Sequence, residues 1–251
     1  MKKIGVYDSG MGGLSLLAKL VKDLPGHEYI YFGDSANAPY GVKTKEEIID
    51  FARAAVDRLI GLGCEALVVA CNTASSAAEE ILKEEYDIPI FGMEPALDMA
   101  VEDGGRGKLL VMATNFTLTN PRFIKAKERS SSKREIISLA GPGLVLLVEA
   151  EITKGPQITK ELEEISSGLD LEGLDGIVLG CTHFLFIEEE IRNFFGRDVK
   201  IYDSHSMTVD TIRKELGPGR GQTSYRFISS GGSRVEESFK WMMENYLQEL
   251  G

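Results

Sequence analysis

The sequence predicts an α/β protein built from two pseudo-symmetric parallel-sheet α/β domains. Three observations carry that expectation. Short, near-continuous apolar runs alternate with longer stretches of helical period, the pattern of parallel strands covered on both faces. One strand-to-helix segment occurs twice, Leu67-Val68-Val69-Ala70-Cys71-Asn72-Thr73 and Ile177-Val178-Leu179-Gly180-Cys181-Thr182-His183. Each of these cysteines is followed, ten residues on, by an isoleucine that closes a Glu-Glu-Ile triplet, at Ile81 and Ile191.

Taken in order, the apolar runs predict strands at residues 4–7, 29–32, 66–70 and 89–91, then at 108–113, 136–139, 176–179 and 199–202. Helical periods lie between them. Over residues 44–62, Ile48, Ala52, Val56 and Leu59 recur at steps of three and four. The echo extends upstream, where the first strand ends at Asp8-Ser9 and the fifth at Thr114-Asn115. The tail reads as a helix over 207–216, a Gly/Pro-rich loop over 216–221, a strand over 225–229 and a helix over 235–250. We expect the tail to return to the first copy. The first domain is then 1–92 plus 206–251, and the second is 93–205.

Composition narrows the function classes. The chain has 251 residues, with 28 Lys+Arg against 39 Asp+Glu and a formal net charge of -11. Such a chain is a poor electrostatic match for a phosphate backbone, so nucleic acid is not expected as the main partner. A membrane-spanning helix needs roughly 20 apolar residues, and the strongly apolar run at 144–148 falls far short. The Met1-Lys2-Lys3 start has no apolar h-region before Asp8 and reads as a first strand, so a cytoplasmic protein is expected. Three cysteines, Cys64, Cys71 and Cys181, with no Cys-x-x-Cys and only three histidines, predict neither a disulfide framework nor a zinc site.

In parallel α/β sheets, ligands bind beyond the carboxyl ends of the strands. Four polar clusters are expected there: Asp8-Ser9-Gly10, Cys71-Asn72-Thr73, Thr114 with Thr117, and Cys181-Thr182-His183. A thiol at a strand's carboxyl end, opening a helix, is favoured as thiolate by the helix dipole; the bland alternative is a small core residue. Asp8 reads either as the N-cap of the helix after Gly13 or as a carboxylate aimed at the site. The Gly10-Met11-Gly12-Gly13 loop lacks the third glycine of a dinucleotide fingerprint, Ser15 standing there, and better suits a small anion. Pro39-Tyr40-Gly41, in the polar loop 33–41, is either a plain surface turn or a rigid turn offering backbone donors to a carboxylate. His183 is a cap or the proton partner of Cys181, while His27 and His205 read as surface or packing residues. Glu149 is either an interior carboxylate or the polar face of a helix.

These residues resemble the cofactor-independent glutamate racemase family, within the aspartate/glutamate racemase superfamily. The matching motifs are Asp8-Ser9-Gly10-x-Gly12-Gly13-Leu14, Gly33-Asp34, Pro39-Tyr40-Gly41, Ala70-Cys71-Asn72-Thr73-Ala74-Ser75, Glu94-Pro95, Ala113-Thr114-x-x-Thr117 and Leu179-Gly180-Cys181-Thr182-His183, in family order. The resemblance implies two domains enclosing an acidic amino acid, with one cysteine at each face of its Cα. Cys71 and Cys181 are then the acid/base pair, Cys71 deprotonating the D-isomer and Cys181 the L-isomer, with Asp8 and His183 as auxiliary catalytic residues and Glu149 as a further auxiliary. The substrate would be held by Asp8, Ser9, Pro39, Tyr40, Gly41, Asn72, Thr73, Thr114, Thr117, Thr182 and His183.

The resemblance implies no cofactor and no metal, glutamate as the partner and a D-glutamate product that serves peptidoglycan synthesis, and it is compatible with a homodimer. The sequence departs from the family pattern at Gly92-Met93-Glu94-Pro95, which is one residue shorter, at residues 141–149, which lack a Cys and a second Pro, and at Phe184-Leu185 in place of Tyr-Pro. An aspartate or other acidic amino-acid racemase, a catalytically silent ligand-binding protein on the same fold, and a thiol hydrolase are the competing readings.

Overall fold

A computed structural model describes residues 1–250. The chain runs β1 (Lys3–Asp8), α1 (Leu14–Asp23), β2 (Glu28–Gly33), a 3-10 turn (Tyr40–Val42), α2 (Lys45–Gly61), β3 (Ala66–Val69), α3 (Asn72–Glu85) and β4 (Ile90–Phe91). It continues with α4 (Ala96–Glu102), β5 (Lys108–Ala113), α5 (Asn115–Thr119), α6 (Pro121–Ser130), β6 (Ile136–Ala140), α7 (Pro142–Glu149), α8 (Pro156–Ser166) and β7 (Leu174–Gly180). A second 3-10 segment (Thr182–Ile187), α9 (Glu188–Phe195), β8 (Lys200–Tyr202), α10 (His205–Leu216), β9 (Ser224–Ser229) and α11 (Ser233–Glu249) complete it. Two compact units result, Met1–Glu94 with the segment from His205 onward, and Pro95–Ser204.

The first unit holds a five-stranded parallel sheet in the order β4-β3-β1-β2-β9. Its interior strands are largely apolar between their ends, as suits strands covered on both faces; all of β3 and all but Lys3 of β1 are buried. α1 buries Leu14, Leu16, Leu17 and Leu20. α2 begins at a capping box, Thr44 accepting from the Glu47 amide while Glu47 accepts from the Thr44 amide. β9 extends the sheet by pairing with β2 from Glu28↔Ser224 to Gly33↔Ser229. α11 then lays Phe239 edge-on against Tyr31, with centroids 5.3 Å apart. Burying a ring of that size contributes about 1.5–3 kcal/mol.

The second unit holds a four-stranded parallel sheet, β6-β5-β7-β8. With β9 set aside, the two sheets share one strand order, since β2-β1-β3-β4 corresponds to β6-β5-β7-β8. Leu109, Val111 and Val178 from the sheet form a core with Leu97 and Ala100 of α4, Ala126 of α6 and Tyr202. The departing segment at 141–149 is α7, opened by Pro142 in the first turn, where its missing N–H costs nothing. Phe184 is fully buried, and its ring lies 3.0 Å from where a Cβ on Gly141 would stand. No helix among the described residues is long and apolar enough to cross a membrane.

Candidate active site

In the first unit, β1 and β3 deliver the site. Asp8, the last residue of β1, is fully buried, and its Oδ1 accepts from the Gly10 amide at 2.9 Å. It does not cap α1: the N-cap is Gly13, with no side-chain cap. The reason is close packing, because a Cβ on Gly13 would stand 2.7 Å from the Asp8 Cβ and 2.9 Å from that of Ala70. Cys71 is buried at the N-cap of α3, as expected of a thiol opening a helix. Its Sγ donates to Ser9 Oγ at 3.6 Å, and Ser9 Oγ donates to Asp8 Oδ1 at 3.5 Å. A thiol, a hydroxyl and a carboxylate thus stand in series.

The loop after β2 adds a second network. Tyr7 OH donates to Tyr40 OH at 2.7 Å, and Tyr40 OH donates to Asp34 Oδ2 at 2.6 Å. Asn37 Nδ2 donates to both Asp34 oxygens, at 3.1 and 3.0 Å. Burial first, and the neighbouring acidic groups after it, hold the Tyr40 phenol well above its usual range. Tyr7 is raised likewise by burial, against its hydrogen bond with Tyr40, which lowers it. Both hydroxyls remain donors across the physiological range. Pro39, after a cis peptide bond, and Gly41 flank Tyr40 in the turn, while Asn72 and buried Thr73 open α3.

In the second unit, β7 ends at Gly180, and buried Cys181, Thr182 and His183 follow. Cys181 does not open an α-helix. The next six residues form the 3-10 segment, and α9 starts only at Glu188, so the dipole argument holds for Cys71 alone. The cause is that all of Thr182–Ile187 is buried, whereas an amphipathic α-helical turn would leave part of the run facing water. The Cys181 sulfur instead gains a side-chain partner. His183 Nδ1 lies 3.7 Å from it, and His183 Nε2 lies 2.6 Å from Glu149 Oε1. Burial pulls the His183 pKa down, but the hydrogen bonds to Cys181 and Glu149 outweigh it and raise the imidazole well above its ordinary value. The two contacts thus favour the protonated imidazole, which can donate from both nitrogens.

The strand registers refine the internal repeat. Tyr7 pairs with Val69, and Ala113 with Gly180, so one register carried onward sets Ser9 beside Cys71 and Thr114 beside Cys181. Ser9 is thus the counterpart of Thr114, one residue later than the sequence echo suggests, and Asp8 corresponds to apolar Ala113. The carboxylate of the second unit comes from elsewhere, from Glu149 at the end of α7. Thr114 caps α5, accepting from the Thr117 amide at 3.2 Å and donating to Thr117 Oγ1 at 3.1 Å.

Sequence reasoning placed Tyr7 at the end of a strand and Asp34 in a motif without assigning either a task. The available signal was a phenol at the end of an apolar strand. Glu149 likewise stood out as the first charge after the apolar run of α7. His205 and His27 are both buried. Among the described residues no cluster of three or more His, Cys, Asp or Glu could hold a metal ion.

Two repeated α/β units each end an interior strand in a buried thiol with a carboxylate behind it, and this doubled site goes with membership of a class of isomerase. The chain belongs to the Asp/Glu/Hydantoin racemase family, whose model matches residues 8–212, and is by that membership an amino-acid racemase. It is 45% identical over 214 residues to the glutamate racemase of Clostridium novyi (strain NT), covering 85% of this chain and 83% of that one. The glutamate racemase of Campylobacter jejuni subsp. jejuni superposes with a TM-score of 0.82 at 31% identity, over 99% of both chains. That of Francisella tularensis subsp. tularensis SCHU S4, solved in complex with D-glutamate, gives 0.81 at 27% identity, over 98% of this chain and 94% of the other.

Proposed function

We propose that the protein interconverts L- and D-glutamate by cofactor-independent two-base proton transfer at Cα, with Cys71 and Cys181 as the acid/base pair. The observation that carries this reading is the doubling of the chemistry. Each unit has a buried thiol, outside any disulfide, backed through one hydrogen-bonded group by a carboxylate: Ser9 and Asp8 in one, His183 and Glu149 in the other. A thiol hydrolase needs one such centre, and a two-base racemase needs two. Glutamate as substrate is supported by the names of the relatives, one of them 45% identical.

In the D-to-L direction the Cys71 thiolate removes the Cα proton and the Cys181 thiol delivers one to the opposite face; the reverse reaction exchanges the roles. One proton leaves carbon as one arrives. His183, with Nδ1 3.7 Å from the Cys181 sulfur, stabilises the Cys181 thiolate, and Glu149, 2.6 Å from Nε2, fixes the ring. On the other side Ser9 orients the Cys71 thiol towards Asp8. The carbanionic intermediate needs fixed donors around the substrate carboxylates and amino group. Asn72, Thr73, Thr182, Thr117 and the backbone of Tyr40 and Gly41 supply them, with Thr114 holding Thr117 in place and the Tyr40 hydroxyl already engaged with Asp34. We assign the D-glutamate product to peptidoglycan synthesis in the cytoplasm.

Circular dichroism of D-glutamate, and separately of L-glutamate, with purified protein and no pyridoxal phosphate tests the reading. Both signals should decay to zero. If only aspartate racemised, the substrate would be reassigned and the mechanism kept. Silence with both amino acids, in folded protein with reduced thiols, would leave a ligand-binding protein on this fold.

A further inference from the structure

The main chain leaves the first unit after Glu94 and re-enters it at His205, and both points are fastened to α10. The Glu94 amide donates to Thr208 Oγ1 at 3.2 Å, and Thr211 Oγ1 donates to Glu94 Oε1 at 3.1 Å. His205, Thr208 and Thr211 stand three residues apart, on one stripe of the helix. The first of them reaches away from the crossing. His205 Nε2 lies 2.8 Å from Ser15 Oγ, and Ser15 Oγ lies 2.8 Å from the Gly12 carbonyl; His205 and Ser15 are both buried. A hydroxyl has one proton, and the carbonyl can only accept it, so His205 Nε2–H donates to Ser15. The Ser15 amide donates to the same carbonyl at 3.2 Å. Gly12 is joined directly to Gly13, the residue packed against Asp8, and the loop's Gly10 amide donates to the Asp8 carboxylate.

We infer that His205 is a positioning residue for the reaction: through Ser15 it sets the Gly10–Gly13 loop, and with it Asp8 and the Ser9–Cys71 contact, from the point where the chain crosses between units. The kinetic part of this inference rests on the glutamate racemase reading. A merely packed histidine would be replaceable by any side chain that fills its volume. A donor in this chain is not.

Four variants and two readouts test it. His205→Ala should lower kcat about tenfold in both directions with KM changed by no more than about twofold, the sign of misplaced groups rather than lost substrate contacts. His205→Gln, whose amide N–H donates at a similar reach, should recover most of the loss. Ser15→Ala should match His205→Ala, and the double variant should be no worse than either single one, because the two residues act as one chain. The second readout needs no turnover: the rate at which iodoacetamide alkylates Cys71, read by mass spectrometry, should change by about threefold or more in His205→Ala and return in His205→Gln.

Wild-type kcat and wild-type Cys71 alkylation in folded His205→Ala would overturn the inference, as would additive losses in the double variant. If His205→Ala does not fold, Ser15→Ala carries the same two outcomes. If the wild-type protein fails to racemise glutamate, the functional reading falls, and the alkylation comparison alone decides whether His205 positions the loop.

Discussion

His183 gives the Cys181 centre an imidazole that the Cys71 centre lacks, with one ring nitrogen 3.7 Å from the Cys181 sulfur and the other 2.6 Å from Glu149 Oε1. Its folded-state pKa is raised, so the stability it contributes is fully present below its unfolded value, about 6.5, and is lost as pH rises through the raised folded value. Glu149→Gln removes one of the two groups that hold the proton. NMR titration of the variant should show the His183 pKa falling, and the L-to-D rate should drop more than the D-to-L rate. An unmoved titration would mean that Cys181 alone holds the ring charged. The thiols themselves give the sharpest residue-level test. Cys71→Ser and Cys181→Ser should each abolish racemisation of both isomers in the circular dichroism assay, while loss from one replacement only would favour a hydrolase. Gly13→Ala adds one methyl against Asp8 and Ala70. Overpacking of this kind costs about 1–3 kcal/mol, so urea denaturation should register it together with lost activity.

At the scale of elements, helices α2 and α4 to α6 show how the frame of the site is held. Thr44→Ala deletes the side-chain half of the α2 capping box, and the expected cost in chemical denaturation is about 1 kcal/mol. In the second unit, Arg134 has its side chain only 1% exposed and pairs with Asp175. It also donates to the carbonyls of Gly107 and Ala100, at 3.0 and 3.1 Å, joining α4, β6 and the start of β5. Replacing it by Met strands those acceptors. Loss of a fully buried pair costs about 3–5 kcal/mol. Because the Asp175 side chain is 40% exposed and can be rehydrated, about 2 kcal/mol is the expected loss. This change lies at the amino ends of the strands, away from the thiol, so kcat should survive wherever the variant is folded.

Over the whole molecule, one topology is used twice and completed differently. The first sheet adds β9 beyond β2, and α11 covers that extension with Phe239, Met242 and Met243. Phe239→Ala, at a fully buried ring, should cost about 3–5 kcal/mol and lower the melting temperature accordingly. Duplication also explains how two thiol centres can arise from one plan yet differ in detail. The shared register sets Ser9 and Thr114 beside the two cysteines, but only the first unit has a carboxylate one residue earlier on the strand, at Asp8. The second unit recruits Glu149 from α7 instead, through His183.

The sequence alone determined what depends on local period and local chemistry. Each expected strand lies within about two residues of an observed one, because apolar runs of strand length between helical periods admit little else. The repeat, the two thiols at strand ends, and Asp8 and His183 beside them were legible for the same reason. Tertiary structure decided which side chains meet. Glu149 and His183 are 34 residues apart, Tyr7 and Tyr40 are 33 apart, and Ser15 and His205 are 190 apart. Period records which face of an element is buried, but not which neighbour buries it. That choice follows from strand order and from the buried polar groups, which had to find partners across the fold once water was excluded.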